Sequence, residues 1–178
     1  MSDSTSTARA TYPVAPQFLP DRQLEEGRYL LRFAQDDDDL DAVLRLRYEV
    51  FNLELQEGLD SSHESGRDLD RFDPVCHHLM VIERSSGDVV GCYRMQTSEM
   101  ARQNLGFYSQ TEFDLGGFPP GVIDGSMEIG RACVAREHRS THVLFLLWKG
   151  LALYVAANRR RFLFGCSSLT SQDPVEGK

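Results

Sequence analysis

From Val143 to Ala157 the chain is apolar nearly all the way round a helix, Leu146-Leu147-Trp148 included. A helix of that kind asks to be covered on several sides. Met127 to Val134 precedes it as a strand-like run, and Phe162 to Ser167 follows as a short apolar run fit for a central strand. Strand, buried helix and strand in that order make a crossover unit, which belongs in a mixed α/β sheet. Upstream, Arg28 to Phe33 is a further strand candidate. The acidic run Asp36 to Asp39 offers N-cap oxygens and a favourable charge at a helix start, and Leu40, Val43, Leu44, Val50 and Phe51 then recur at helical spacing. His78 to Glu83 and Asp88 to Thr97 are apolar-rich runs joined by Ser85-Ser86-Gly87, a hairpin signal. The segment Gly106 to Gly125, rich in Gly and Pro, reads as an irregular exposed loop. Residues 1–27, rich in Ser, Thr, Pro and charge, read as a flexible leader, which leaves 28–178 as the folded domain.

With 178 residues there is room for one domain with a sizeable core and not for two ordinary ones. A net charge of -8 repels phosphate backbones and argues against a broad nucleic-acid face. No continuous run approaches the length of a membrane span, and Met1 to Pro20 has neither the basic start nor the apolar centre of a secretion signal. A cytoplasmic location is the expectation. Cys76, Cys92, Cys133 and Cys166 are scattered and read as thiols rather than a disulfide framework. Cys76-His77-His78 invites a metal, yet neighbours on an extended segment point to opposite faces and no second pair stands at finger-like spacing, so no metal site is expected.

Several charges fall where packing alone would not place them. Arg47 lies on the apolar stripe of the first helix, Asp70 and Asp73 flank Arg71-Phe72 just before a strand, Arg94 is mid-strand, and Glu128 and Arg131 share a strand with apolar neighbours. A buried guanidinium needs an anion or a ligand, unless its stem covers the core while its head reaches water. Glu128 and Arg131, three apart, would point to opposite faces of a regular strand. A bulge at Gly130 would turn both to one side and free a main-chain N–H beside the carboxylate. That pairing is useful chemistry, because the N–H can stabilise an oxyanion while the carboxylate accepts a proton.

Arg47-Tyr48-Glu49-Val50-Phe51, Asp70-Arg71-Phe72-Asp73, Gly91-Cys92-Tyr93-Arg94 and Glu128-Ile129-Gly130-Arg131 resemble, in order, the motif set shared by acyl-homoserine lactone synthases and ornithine-acyl carrier protein N-acyltransferases, a branch of the GNAT superfamily. Leu147 to Leu151, Phe164 to Ser168 and Leu169 to Pro174 look like the ornithine branch. The lactone synthases usually carry a tryptophan shortly after the arginine-phenylalanine motif, where this chain reads Asn52-Leu53-Glu54-Leu55. The resemblance implies a GNAT-like α/β fold, a mixed, mostly antiparallel sheet with flanking helices. Since that fold continues past the strand at Phe162, it also implies a C-terminally shortened form.

The same resemblance implies that a long-chain (3-hydroxy)acyl group passes from the phosphopantetheine of acyl carrier protein to the α-amine of an amino acid, ornithine first, with no bound cofactor. It further implies that Glu128 acts as base, oriented by Arg131, while Arg47, Phe51, Asp70, Asp73 and Arg94 receive the zwitterionic acceptor. The turn Arg136 to Thr141 has no glycine to let phosphate approach, which favours a protein-borne donor. Arg136, Arg139, Lys149 and Arg159-Arg160-Arg161 would dock the acidic carrier, although cations at a helix C-terminus explain the last three equally well. The rival readings are an N-acyl amino acid or acyl-homoserine lactone synthase, a ping-pong route through Cys133 or Cys166, and a non-catalytic carrier-binding fragment. Peripheral membrane contact through a lipid product and self-association through a sheet edge complete the expectations.

Overall fold

The computed structural model describes residues 12–167. Leu24–Glu26 (β1) and Tyr29–Phe33 (β2) form a hairpin. Asp36 caps Asp37–Arg47 (α1), its side chain accepting from the Asp39 N–H, and the helix runs on through a π-helical turn at Tyr48–Glu54. After the short helix Ser62–Ser65 (α2) come the paired strands His77–Glu83 (β3) and Val89–Thr97 (β4). Ser98–Gln103 (α3) and Pro120–Asp124 (α4) bracket the long connection to Ser126–Val134 (β5). Thr141–Ala157 (α5), capped by Ser140, then crosses over to Phe162–Phe164 (β6).

The six strands lie in sequence order, antiparallel from β1 to β5, with β6 parallel to β5. This is the mixed, mostly antiparallel α/β sheet with a late crossover that the apolar runs and the resemblance predict. Helix α5 covers one face, where Val143, Leu146, Leu147, Leu151 and Tyr154 pack on Leu31, Phe33, Leu79 and Val81. Gly150 lets it come that close: a Cβ there would stand 2.5 Å from Leu79 Cδ2. Helix α1 covers the other face, with Val43, Leu44, Leu46 and Val50 against Met80, Ile82, Cys92 and Cys133. Every residue of β3 is buried because both faces are covered, which is why it reads as a continuous apolar run.

Four expectations change. Within the supposed leader, Leu24–Glu26 is a paired strand and Tyr12 is buried against the α1 core, because its apolar residues find partners on the domain. Helix α5 is covered on one face only; Leu144, Phe145 and Trp148 on its outer side remain exposed, since no described element packs there. The run from Phe162 yields a three-residue strand at the sheet edge among the described residues, not a central one. The connection Gly106 to Gly125 contains helical turns and the buried Phe107 and Ser109. The motif from Leu169 to Pro174 lies outside the described residues.

Candidate active site

Strand β5 is bulged, one residue beyond the predicted glycine. Cys92 pairs with Cys133 and Arg94 with Gly130, so Arg131 and Ala132 together stand opposite the single Tyr93. Gly130 keeps its ladder position, and Arg131 takes the left-handed conformation with φ 47°. The extra residue resets the side-chain alternation. Glu128, Arg131 and Cys133 therefore share the α1 face, with Cys92, Arg94 and Gln96 beside them on β4.

On that face the misplaced charges converge. Arg47 is 0% exposed and fully paired: Nε and Nη2 donate to Asp68 Oδ1 at 2.9 and 2.5 Å, and Nη1 donates to Asp73 Oδ1 at 2.5 Å. Arg94 donates from Nη1 to both Asp70 oxygens at 2.7 Å and to Asp73 Oδ1 at 2.9 Å. Arg131 donates from Nη2 to Asp68 Oδ2. Burial opposes charge on both partners, but Asp73 and Asp68 hold the Arg47 guanidinium above its ordinary pKa. In the same way Arg47 and Arg94 outweigh burial and hold Asp73 well below the usual carboxylate range. His78, beside them, is lowered to about 4 by burial and donates from Nε2 to the Asp73 carbonyl at 3.2 Å.

Three expectations are corrected by this geometry. The head of Arg47 meets carboxylates, neither water nor a cavity. Of the predicted acceptor-binding set, Phe51 and Arg94 line the neighbouring cleft, whereas Arg47, Asp70 and Asp73 stand behind its wall. Nor does Arg131 orient Glu128. The Glu128 carboxylate, 5% exposed, accepts from Gln96 Nε2 at 2.8 Å and from the main-chain N–H groups of Tyr108 and Ser109 at 2.9 and 2.6 Å.

The sequence reading missed Asp68, Gln96 and the two amides. Asp68 leaves a trace in hindsight: three inward arginines need more anions than Asp70 and Asp73 supply once Glu128 is committed elsewhere. The amides leave none, because main-chain donors carry no residue signature.

The cleft measures about 670 Å³ and opens where β5 and β6 part, since their pairing ends at Glu128–Phe164. Glu128, Gly130, Arg131 and Ala132 form one wall, Phe164, Gly165 and Cys166 the other, and Trp148 of α5 closes a side. Gly165 is required there, because a Cβ would lie 2.0 Å from the Ile129 carbonyl oxygen. Cys166 lines the cleft; Cys133 is buried 3.5 Å from the Cys92 sulfur, and that hydrogen bond together with burial pushes its thiol up, which disfavours it as a nucleophile.

The six cations expected to dock a carrier protein are not equivalent. Arg139 forms a two-pronged pair with Glu54 at 2.6 and 2.7 Å, Lys149 pairs with Glu26, and Arg160 pairs with Glu99 at 2.7 Å. Arg136, Arg159 and Arg161 make no ion pair among the described residues. Among those residues, no group of three His, Cys, Asp or Glu stands ready to hold a metal ion, and no helix is long and apolar enough to cross a membrane.

Residues 46–149 match the model of the acetyltransferase (GNAT) domain. The L-ornithine N(alpha)-acyltransferase of Agrobacterium fabrum is 38% identical over 157 residues, which make up 83% of this chain and 53% of that protein. That of Rhodobacter capsulatus is 36% identical over 153 residues, 82% of this chain and 58% of the relative. The chain thus spans a little over half the length of these curated relatives. Among solved structures, the acyl-homoserine lactone synthase LasI is similar with a TM-score of 0.53 and 17% identity, covering 79% of this chain and 72% of that one. The CoA-dependent acyl-homoserine lactone synthase BjaI, with SAM and isopentyl-CoA, gives 0.56 and 18%, over 72% and 59%. These two likenesses concern the fold.

Proposed function

The chain belongs to the acetyltransferase (GNAT) domain family, and from that premise we propose that it transfers an acyl group from acyl carrier protein to the α-amine of an amino acid, ornithine first. One observation carries the reading: a nearly buried carboxylate, Glu128, is held by three donors at the edge of a cleft between parting strands, beside a bulge that also presents Arg131. The curated relatives, named for ornithine as acceptor, support the choice of acceptor.

The thioester lies along the cleft with its carbonyl toward the main chain of the β5 bulge. The acceptor amine attacks the carbonyl carbon and Glu128 takes the amine proton, directly or through water. An amide forms, the carbon–sulfur bond breaks, and the phosphopantetheine leaves as a thiol once that proton is passed on. In this reading a main-chain N–H left unpaired by the bulge stabilises the oxyanion. Arg136, Arg159 and Arg161, unpaired by side-chain carboxylates among the described residues, offer the acidic carrier its landing points. A long-chain (3-hydroxy)acyl group is the donor we expect, and the lipid product would bring the protein to a membrane surface.

The test is mass spectrometry of products after incubation with 3-hydroxyacyl carrier protein and a mixture of amino acids, ornithine included. An N-acylated ornithine supports the reading, and absence of any acylated amino acid overturns it. Because the chain spans only a little over half of its relatives, carrier-protein binding without product would favour a non-catalytic carrier-binding module instead.

A further inference from the structure

We propose that Arg131 and Glu57 form a two-point receptor for the acceptor, Arg131 taking its α-carboxylate and Glu57 a cation on its side chain, so that the cleft prefers a dibasic amino acid. This rests on the acyl-transfer reading and adds what sets acceptor choice. Among the described residues, the cleft is lined by two guanidinium groups, Arg94 and Arg131, and two carboxylates, Glu57 and Glu128. Arg94 is engaged by Asp70 and Asp73, and Glu128 is held by its three donors and assigned to the reacting amine.

Arg131 and Glu57 are left. Arg131 is anchored through Nη2 to Asp68 while its buried Nε has no hydrogen-bond partner, so the guanidinium is under-satisfied. Its side chain keeps 23% of its exposure and lines the cleft, and Nη1 makes no hydrogen bond among the described residues, which leaves the guanidinium a donor for an anion. Glu57 is exposed, and its carboxylate makes no ion pair among the described residues. Phe51 links the two. The Arg131 guanidinium sits 4.8 Å over the Phe51 ring, and the chain, turned by the left-handed Gln56 at φ 58°, brings the Glu57 N–H back to the Phe51 carbonyl at 2.8 Å. Phe51 therefore touches both residues, its ring under the Arg131 guanidinium and its carbonyl on the Glu57 main chain. The acceptor that uses all three groups is a zwitterion with one carboxylate and two amines, its α-amine going to Glu128, its carboxylate to Arg131 and its distal ammonium to Glu57.

Ornithine and norvaline, which differ by that distal ammonium alone, separate the contributions. With wild-type protein and 3-hydroxyacyl carrier protein, ornithine should be preferred. Glu57→Gln, which keeps the shape and removes the charge, should raise KM for ornithine about tenfold, the effect of one charge-assisted contact, leave kcat near wild type, and leave norvaline unchanged. Arg131→Lys should weaken both amino acids alike. An ornithine KM untouched by Glu57→Gln, while wild type turns over, overturns the inference and spares the acyl-transfer reading. If wild type acylates neither amino acid, that reading fails, and calorimetric binding then decides this one: ornithine bound equally by wild type and Glu57→Gln overturns it, and selective loss in the variant upholds it.

Discussion

Two carboxylates on the α1 face, Glu128 and Asp68, differ in what surrounds them. Glu128 meets one side-chain amide and two main-chain N–H groups and opens on the cleft, so it can take a proton from a guest. Asp68, 0% exposed, is shared by Arg47 and Arg131 and can do no chemistry. Glu128→Ala should lower kcat for acyl transfer by about a hundredfold or more, the usual share of a positioned base, while water entering the cleft satisfies the released donors and far-UV circular dichroism stays native. Wild-type turnover in that variant would remove Glu128 from the reaction. Asp68→Ala should instead destabilise the fold by about 3–5 kcal/mol, because Arg47 keeps Asp73 alone and Arg131 keeps no carboxylate; a urea midpoint within error of wild type would contradict the buried network. Single residues out of pattern, Arg47 and Arg94 above all, point to this network from the sequence alone. Their roles are less legible, since an arginine in an apolar stripe looks the same whether a ligand or an aspartate satisfies it.

The elements were readable wherever one period ran uninterrupted. The acidic cap and apolar stripe of α1, the β3–β4 hairpin and the crossover through α5 all follow from side-chain spacing. What spacing does not disclose is where a strand breaks step. The bulge falls at Arg131, in a left-handed conformation that costs a non-glycine residue energy, rather than at the adjacent Gly130. The pair to Asp68 and the Phe51 ring hold it there, and both come from distant segments. Strand β6 carries a sharper requirement. Gly165→Ala would set a methyl group against the Ile129 carbonyl, a rigid main-chain atom, and should push the two cleft walls apart. Stability should fall by about 1–3 kcal/mol, in the range of overpacked positions, and acyl transfer should fall further than stability explains because Cys166 and Phe164 move with the wall. Thermal denaturation together with turnover below the transition tests both parts; an unaffected rate would mean that the β5–β6 gap is not where the acyl group sits.

For the whole molecule, the placement of titratable groups links folding to pH. His77 and His78 are fully buried at the start of β3, and burial lowers each to about 4. His77 donates from Nε2 to the Val14 carbonyl and accepts at Nδ1 from the Tyr154 hydroxyl, both at 2.7 Å, so its neutral ring is already satisfied, and burial opposes a second proton. In the unfolded chain both rings titrate near 6.5. Between pH 6.5 and 4 the unfolded state therefore binds two protons that the folded state refuses, and stability rises with pH across that window. It should be level above about pH 7 on this account and should fall on acidification, with a slope of at most about 3 kcal/mol per pH unit when both rings take up a proton on unfolding. Asp73, where Arg47 and Arg94 outweigh burial, adds its own loss only below the ordinary carboxylate range. Urea denaturation at a series of pH values reads the slope directly. His77→Asn should lower stability at pH 7 and halve the slope, leaving the His78 contribution; an unchanged slope would mean that His77 takes up no extra proton on unfolding in this window.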